Sequence, residues 1–376
     1  MTTAITRVAD AIRAFEKGEI VVVTDDDDRE NEGDLIVAAT HVTPEKMAFI
    51  IRHCCGIVCT PMTPAEARRL NLDPMVAIND SPHSTAFTVT VDYRHGTTTG
   101  ISAEDRTATV RALANPNAGS EDFVRPGHIF PLIAKEGGVL MRSGHTEAAV
   151  DLCRLAKLPP VAAICELVND DGTVMRGEQV AAFAEAHKLA KVSVEDLIAW
   201  RQRQERLVKR IEEFETDTRI GRARAITYET PYDPMHHLAI VYGDIRDGEN
   251  VLVRLQLESV VDDVFASKPP LTSVLDRMAE AGRGVIIYLR EGSVGVARNA
   301  VRIRDRIEDS EPALAGKEDH DSAISREEHW REIGLGAQIL NELGVASIRL
   351  LASTERHYVG LDGFGIQITS TEIIDG

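Results

Sequence analysis

The chain has 376 residues, of which 43% are hydrophobic and 27% are charged, and its formal net charge is −18. The length favours two domains, and the composition is typical of globular rather than disordered proteins. The negative charge argues against non-specific nucleic-acid binding, which depends on basic residues. No apolar run reaches the roughly 20 residues that span a bilayer, and no signal-peptide pattern is present. We therefore expect a cytoplasmic protein without nucleic-acid or membrane partners.

The first half of the sequence alternates strand-like apolar runs with capped helices. GEIVVVTDD and LIVAAT are typical of buried strands, and TAFTVTVDY alternates with the period of a half-buried strand. Thr43, Thr63 and Ser102 are predicted N-caps, each followed by proline or acidic residues in the first turn. GVLMRSGHTEAAVDLCRLAKL predicts a strand, a turn and a helix capped by Thr146.

The second half has its own set of apolar runs, HLAIVYGDI, NVLVRLQLESV, GVIIYLRE and SIRLLAS, separated by helical patterns. The charged segment from Ser193 to residue 215 predicts a long solvated helix between two domains. We place the domains at residues 1–205 and 206–376. The predicted fold class is α+β, with a mixed sheet and surrounding helices in the first domain and an α/β second domain.

All five cysteines lie in the first half, and three of them occur in RHCCGIVC. Their spacing is not that of a zinc finger, and no second Cys/His pair follows at the required distance. The pattern favours free, buried thiols.

An acidic segment, TDDDDRENEGDL, places seven carboxylates in the ten residues from Asp25 to Asp34, with Arg29 among them. Such runs are often solvated loops, but this one is tied at both ends to apolar strands. Crowded carboxylates repel one another and are stabilised by a cation. Mg²⁺ typically takes one or two carboxylates. The segment therefore predicts a magnesium site with one or two ligands.

A second polar cluster lies in MRSGHTEAAVDL, at a strand-to-helix turn. Arg142 and the helix-start amides can bind phosphate, Ser143 and Thr146 add hydroxyl donors, and Gly144 permits close backbone approach. His145 could ligate a metal, move protons or serve a structural role.

Two further residues are candidates for acid–base chemistry. His128 lies in RPGHIFPL, where glycine and proline indicate a rigid turn, and Glu166 lies within the apolar run AAICELV. A carboxylate in such a run is exposed, paired, or desolvated enough to act as an acid or base. An ordinary solvent-facing position is the alternative for Glu166.

Five motifs, DDDDRENEGDL, TTTGISAEDR, RPGHIFPL, RSGHTEAAVDLCRLA and ICELVNDDG, closely resemble 3,4-dihydroxy-2-butanone 4-phosphate synthase of riboflavin biosynthesis, over about residues 5–200. The resemblance implies a homodimeric lyase that uses Mg²⁺ or Mn²⁺ and converts D-ribulose 5-phosphate to L-3,4-dihydroxy-2-butanone 4-phosphate and formate. It also implies metal binding by Glu30 and His145 and catalysis by His128 and Glu166. The sugar-phosphate residues implied are Arg29, Glu30, Asp34, Arg142, Ser143, Gly144, His145, Thr146 and Glu166.

Residues 206–376 resemble GTP cyclohydrolase II in their strand and helix patterns. That family holds zinc with three cysteines, and an ungapped alignment places Ser259, Pro270 and Thr272 at those positions, in a half without any cysteine. Ser293 and His329 stand where the family has an arginine and an acid/base aspartate. These differences lead us to expect a catalytically inactive second domain, a pseudoenzyme domain without zinc.

Two alternatives remain at this point. The chain could be a bifunctional synthase and cyclohydrolase that uses unfamiliar zinc ligands, such as His236 and His237. It could also be a non-catalytic module whose acidic loop only binds a cation, although such a module would have no need of His128 and Glu166.

Overall fold

The computed structural model describes residues 4–25, 30–81, 85–205, 208–231, 233–259, 261–267, 269, 271–290, 334–352 and 365–374. Within them, the chain divides into two compact units, Met1–Arg201 and Gln202–Gly376. Both units are built on mixed sheets, so the predicted fold class is confirmed. None of the described helices is long and apolar enough to cross a membrane.

The first unit contains a seven-stranded sheet with helices around it. The strand order is β4-β5-β3-β6-β2-β1-β7, with both parallel and antiparallel neighbours. The strands are β1 Val21–Thr24, β2 Gly33–Ala38, β3 Cys59–Met62, β4 Val91–Tyr93, β5 Phe123–Ile133, β6 Ala162–Glu166 and β7 Ala190–Ser193. The helices are α1 Ala4–Glu16, α2 Pro44–His53, α3 Pro64–Arg69, α4 Ala103–Leu113, α5 His145–Leu155, α6 Glu178–Ala186 and α7 Val194–Gln204.

Local sequence explains where several of these elements begin. The predicted N-caps are confirmed, since the side chains of Thr43, Thr63 and Ser102 accept hydrogen bonds from backbone amides in the first turns of α2, α3 and α4. All six residues of β2 are buried, as the apolar run predicted. A strand covered on both faces lies in the middle of the sheet, and β2 is indeed flanked by β1 and β6.

The second unit also has a seven-stranded sheet, in the order β14-β13-β11-β12-β10-β9-β8. Its strands are β8 Lys209–Thr218, β9 Gly221–Thr230, β10 Asp233–Tyr242, β11 Val251–Leu257, β12 Gly284–Leu289, β13 Ser347–Ala352 and β14 Gln367–Ile373. Helix α8 covers Leu271–Ala281, and a further helix covers residues 334–342. The predicted long helix from Ser193 is wrong in its second half, because β8 pairs there with β9 as a hairpin.

Candidate active site

Asp25, the first carboxylate of the acidic loop after β1, connects the two ends of that loop. Its side chain is buried, and its two oxygens accept hydrogen bonds from the amides of Glu30 (3.0 Å) and Glu32 (2.8 Å). These bonds hold residues 30–32 against the end of β1. Arg29 lies outside the described residues, so its contact with a sugar phosphate stays a prediction.

Glu30 and His145, the two predicted metal ligands, lie close together. The Nδ1 atom of His145 is 3.8 Å from Glu30 Oε2 and 3.8 Å from Asp34 Oδ1. Neighbouring ligands of octahedral Mg²⁺, each about 2.1 Å from the ion, are about 3.0 Å apart, so a small movement of these side chains would let them share one ion. Asp25 also offers a ligand atom within 4.8 Å of those of Glu30 and His145. Sequence analysis did not single it out, and its only signal is its place directly after a buried strand.

Sheet register brings a further carboxylate to this group. Asp34 on β2 lies directly opposite Glu166 on β6, so both side chains stand on one face of the sheet. Asp34 is buried, and its Oδ1 has no hydrogen-bond partner within the described part of the chain. Burial raises the pKa of Asp34 well above its ordinary value, and the nearby charges of Glu166 and Glu30 raise it further. A bound cation would offset this repulsion.

We expect Asp34→Asn to stabilise the metal-free protein. An acid whose pKa is raised on folding contributes stability below its ordinary pKa of about 3.9 and loses that contribution as the pH rises through the folded value. At neutral pH the raised pKa of Asp34 therefore opposes folding, and asparagine removes this effect because it cannot ionise. Thermal unfolding in a chelator should show a gain of about 0.5–2 kcal/mol, or about 2–4 °C in Tm for each kcal/mol.

The gain from Asp34→Asn should shrink as the pH falls and as Mg²⁺ is added, because both treatments relieve the same repulsion. Asp73→Asn is the matched control, since Asp73 is exposed. An unchanged or lower Tm for Asp34→Asn in chelator at neutral pH would show that this buried carboxylate does not destabilise the fold.

The predicted phosphate turn forms the start of α5. The helix begins at His145 with Gly144 as its N-cap, two residues before the predicted cap Thr146, which is buried in the first turn. A side chain at position 144 would put a Cβ atom 2.5 Å from Arg142 Nη1, so close approach explains this glycine. The first-turn amides of α5 therefore lie beside Arg142 and Ser143, in the arrangement that binds anions.

Arg142 is held in place by a residue that the sequence analysis missed. Its Nη1 donates to Oε2 of Glu147 (2.7 Å), whose other oxygen accepts from the amide of Lys135 (2.9 Å). Glu147 is buried, and only 14% of the Arg142 side chain is exposed. A buried pair of this kind fixes the direction of the guanidinium. The spacing of the two residues in MRSGHTE was the available signal.

His128 forms a pair with Asp92, which sequence reasoning also missed. The His128 amide donates to Asp92 Oδ1 (2.9 Å), and its Nδ1 lies 2.7 Å from Asp92 Oδ2. Gly100 packs against this pair with a φ of +84°, and a Cβ atom there would clash with Asp92 and lie 2.6 Å from His128 Nδ1. His128 lies in β5 rather than in the predicted turn, next to a register shift in the β4–β5 pairing.

We expect Asp92→Asn to lower turnover about 10–100-fold, by analogy with the loss of carboxylates that orient metal-binding histidines. The amide cannot replace both oxygens that receive His128, so the ring loses its orientation while its substrate contacts remain. Steady-state kinetics should therefore show a fall in kcat with little change in KM. Asp122→Asn, which alters the exposed His95–Asp122 pair, is the matched control and should leave kcat unchanged. Equal effects of the two variants would contradict the role of Asp92.

The sheet places His128 and Glu166 at the same end but not in contact. Cys59 on β3 pairs with Phe130 on parallel β5 and with Ile164 on antiparallel β6. His128 precedes Phe130 by two residues and Glu166 follows Ile164 by two, so both lie toward the start of β3. With β3 between them, their backbones are about 10 Å apart. A small sugar phosphate can reach both.

The structure describes only some of the candidate zinc-site residues of the second unit. His236 and His237 are neighbours on β10, where His236 is exposed and His237 is buried with its Nδ1 3.1 Å from the amide of Arg290. The β9–β10 pairing shifts register between Asp233 and His237, so regular strand alternation does not give the directions of these two side chains. Ser259 follows β11, and its amide donates to Asp263 (2.9 Å). Pro270, Ser293 and His329 lie outside the described residues.

Two protein-family models match the chain. The model of 3,4-dihydroxy-2-butanone 4-phosphate synthase matches residues 9–200, and that of GTP cyclohydrolase II matches residues 209–372. The riboflavin biosynthesis protein RibBA of Rhodococcus erythropolis is 46% identical, over 96% of this chain and 87% of its own length. A probable bifunctional riboflavin biosynthesis protein, RIBA 2, from Oryza sativa subsp. japonica is 45% identical, over 98% of this chain and 67% of its own length.

Two solved structures are also similar to this chain. RibBX from A. baumannii, described as a two-domain 3,4-dihydroxy-2-butanone 4-phosphate synthase, superposes with a TM-score of 0.77 at 35% identity, covering 96% of this chain and 99% of its own. A 3,4-dihydroxy-2-butanone 4-phosphate synthase in complex with two magnesium ions superposes with a TM-score of 0.51 at 48% identity. It covers 52% of this chain and 96% of its own.

These comparisons correct our interpretation of the second domain. The prediction of an inactive, pseudoenzyme domain is wrong, because the GTP cyclohydrolase II model covers residues 209–372 and relatives along nearly the whole chain carry the name RibBA or the word bifunctional. The bifunctional alternative is better supported. The expected absence of zinc depended on that predicted inactivity, so it is no longer supported. Since no cysteine follows Cys165, a metal ion in this domain would need nitrogen and oxygen ligands.

Proposed function

The chain belongs to the 3,4-dihydroxy-2-butanone 4-phosphate synthase family, joined to a GTP cyclohydrolase II domain, and we propose that its first domain converts D-ribulose 5-phosphate to L-3,4-dihydroxy-2-butanone 4-phosphate and formate. One observation carries this proposal. Glu30, Asp34 and His145 converge from a loop, a strand and a helix start, and Arg142, paired with Glu147, lies just before that helix. The proposed cofactor is Mg²⁺ or Mn²⁺, which suits the carboxylates of this group.

The proposed reaction rearranges and divides its substrate in three chemical steps without any other reactant. The product and formate together contain all the atoms of the substrate, so no oxidant, reductant or water is consumed. Forming the enediol, rearranging the carbon skeleton and cleaving a C–C bond each require proton transfer. His128, held by Asp92, and Glu166, half-buried beside Asp34, are the proposed proton-transfer groups.

The other side chains bind and orient the substrate. The start of α5, with Arg142, Ser143, Gly144 and Thr146, would bind the phosphate. Asp34 would accept a hydrogen bond from a sugar hydroxyl, and Glu30 and His145 would hold the metal. When bound, the ion would supply a Lewis acid that stabilises oxyanions on the sugar. Arg29, next to Glu30 in sequence, is a proposed further phosphate contact.

The direct test is formate release from ribulose 5-phosphate by the purified full-length chain. We expect formate in the presence of Mg²⁺ or Mn²⁺, its loss in a chelator, and its return when the metal is restored. Absence of formate with both metals would contradict the proposal.

GTP cyclohydrolase II activity is the second candidate function, proposed for residues 209–372. It is favoured by the family model over that range and by the bifunctional name of a relative, whereas the solved RibBX structure is named for the synthase alone. The same protein incubated with GTP, with and without added zinc, decides between these. GTP-dependent formate that a chelator abolishes is the expected result. No formate from GTP in either condition would contradict the second function and leave the first intact.

A homodimer is proposed from the family resemblance. The first unit carries exposed apolar side chains that a second copy could cover, including Ile57, Ile78 and Ile101. Sedimentation of the full-length chain tests this, and a monomer at all concentrations would contradict it.

A further inference from the structure

A group of thiols lies next to Glu166, on segments far apart in sequence. Cys55 follows α2 and is exposed, whereas Cys165 lies in β6 and is fully buried. The amide of Cys55 donates to the carbonyl of Glu166 (2.9 Å), which brings the two segments together. All five cysteines are free, as predicted, although Cys55 is not buried. The sequence spacing of RHCCGIVC could not reveal that β6 adds a thiol and a carboxylate.

The spacing of the two sulfurs in this group suits a shared metal ion. The Sγ atoms of Cys55 and Cys165 are 3.6 Å apart, and Cys55 Sγ donates to Glu166 Oε2 at 2.9 Å. Tetrahedral zinc, with Zn–S of about 2.3 Å and Zn–O of about 2.1 Å, needs sulfurs about 3.8 Å apart and a sulfur and an oxygen about 3.6 Å apart. The sulfurs are already close to this spacing, whereas the Glu166 carboxylate has to move away from Cys55 by about 0.7 Å to bind the same ion. A disulfide would instead need the sulfurs to close to about 2.05 Å.

The surroundings of the two thiols disfavour a disulfide. The hydrogen bond with Cys165 raises the pKa of the Cys55 thiol, and a hydrogen bond with Cys54 raises the pKa of the Cys165 thiol. Protonated thiols react slowly with oxidants, since the thiolate is the nucleophile. A bound metal ion has the opposite effect on the thiol pKa, because its own charge deprotonates a coordinating thiol.

We propose that Cys55, Cys165 and Glu166 form a binding site for a thiophilic divalent cation such as Zn²⁺, distinct from the site of Glu30 and His145, and that its occupancy inhibits the lyase by engaging Glu166. Binding releases the two thiol protons and forms two metal–sulfur bonds and one metal–oxygen bond, with the fourth position left for water. Soft thiolates select such cations over Mg²⁺, whose preference is for oxygen. The inhibition rests on the proposed function of the first domain, whereas the binding does not.

The test uses Cd²⁺ as the probe, on the full-length chain reduced with a phosphine and kept in excess Mg²⁺. Sulfur-to-cadmium charge-transfer absorption reports binding, and formate from ribulose 5-phosphate reports activity. In the wild-type protein we expect the absorption to rise up to one equivalent of Cd²⁺ while formate release falls in parallel. Cys55→Ser and Cys165→Ser should each weaken Cd²⁺ binding at least about tenfold and protect activity to the same extent.

Cys153→Ala is the matched control, because Cys153 is a buried thiol in α5 that bonds the carbonyl of Val161 instead. It should keep both the absorption and the inhibition. No charge-transfer band at stoichiometric Cd²⁺ in the wild type, or an unchanged band in Cys55→Ser, overturns the site. Equal inhibition of wild type and Cys55→Ser overturns the inhibitory role. If the wild-type protein releases no formate before Cd²⁺ is added, the proposed function is wrong. The charge-transfer absorption alone then decides whether the metal site exists.

Discussion

Glu30→Gln is expected to lower formate release from ribulose 5-phosphate by about 10²–10⁴-fold. A metal ion contributes several kcal/mol to stabilising charge in a transition state, and each 1.4 kcal/mol is about tenfold in rate. Glu30 and His145 lie close enough to share one ion, so removing the carboxylate charge weakens metal binding and misplaces the sugar oxygens together. His145→Ala should behave in the same way for the same reason.

The measurement is formate release over a range of Mg²⁺ concentrations, with metal affinity followed by calorimetry. Glu32→Gln is the matched control, since Glu32 lies in the same loop but its carboxylate pairs with Arg176 (3.3 Å). We expect Glu32→Gln to retain most of its turnover. Ordinary turnover by Glu30→Gln at ordinary Mg²⁺ concentration would show that the ligands are assigned to the wrong residues.

Patterns that depend on neighbouring residues were predicted well from the sequence. The caps at Thr43, Thr63 and Ser102 depend only on a side chain and the next few amides, and the structure confirms them. The buried strand β2 is likewise encoded by its own apolar residues. The prediction of a long helix failed because the pairing of two strands decided the structure there. The charged residues after Lys209 suit a solvated helix, but most of β8 is exposed and forms a hairpin with β9.

Most of the missed site residues have a common physical reason. Glu147 is the exception, because it lies five residues from Arg142 in one motif and was overlooked there. Asp92 acts on His128 through a contact between β4 and β5, which depends on sheet register. The same applies to Cys55, which meets Glu166 across 111 positions of the sequence. Residues within one motif could be recognised by their spacing, whereas these partners could be found only after the sheet was assembled.

The error on the second domain has a different origin. Its strand patterns identified the scaffold, but the expected inactivity was drawn from individual positions, such as Ser259 in an ungapped alignment and Ser293 in a separate motif. Metal ligands can come from several residue types, so the loss of a thiolate does not by itself decide activity. The relatives match this domain over nearly its whole length, and an assay of formate release from GTP tests its activity directly.

Glu166→Gln is expected to reduce kcat by about 10²–10⁴-fold, the range of general acid–base catalysis. Glutamine keeps the shape of the side chain and can still accept the hydrogen bond from Cys55, so the end of β6 should stay intact. What it loses is the capacity to take up and release a proton beside Asp34, its cross-strand neighbour. The affinity for ribulose 5-phosphate should therefore change by less than about threefold while turnover collapses.

The assay pairs steady-state formate release with calorimetric titration of ribulose 5-phosphate in the presence of Mg²⁺. Exchange of the carbon-bound hydrogens of the substrate with solvent deuterium, followed by NMR, should fall together with kcat, because enediol formation needs a base. Asp170→Asn, in the exposed turn that follows β6, is the control and should leave all three measurements unchanged. If Glu166→Gln fails to bind ribulose 5-phosphate, the carboxylate binds substrate rather than moving protons, and the acid–base role then belongs to His128 alone.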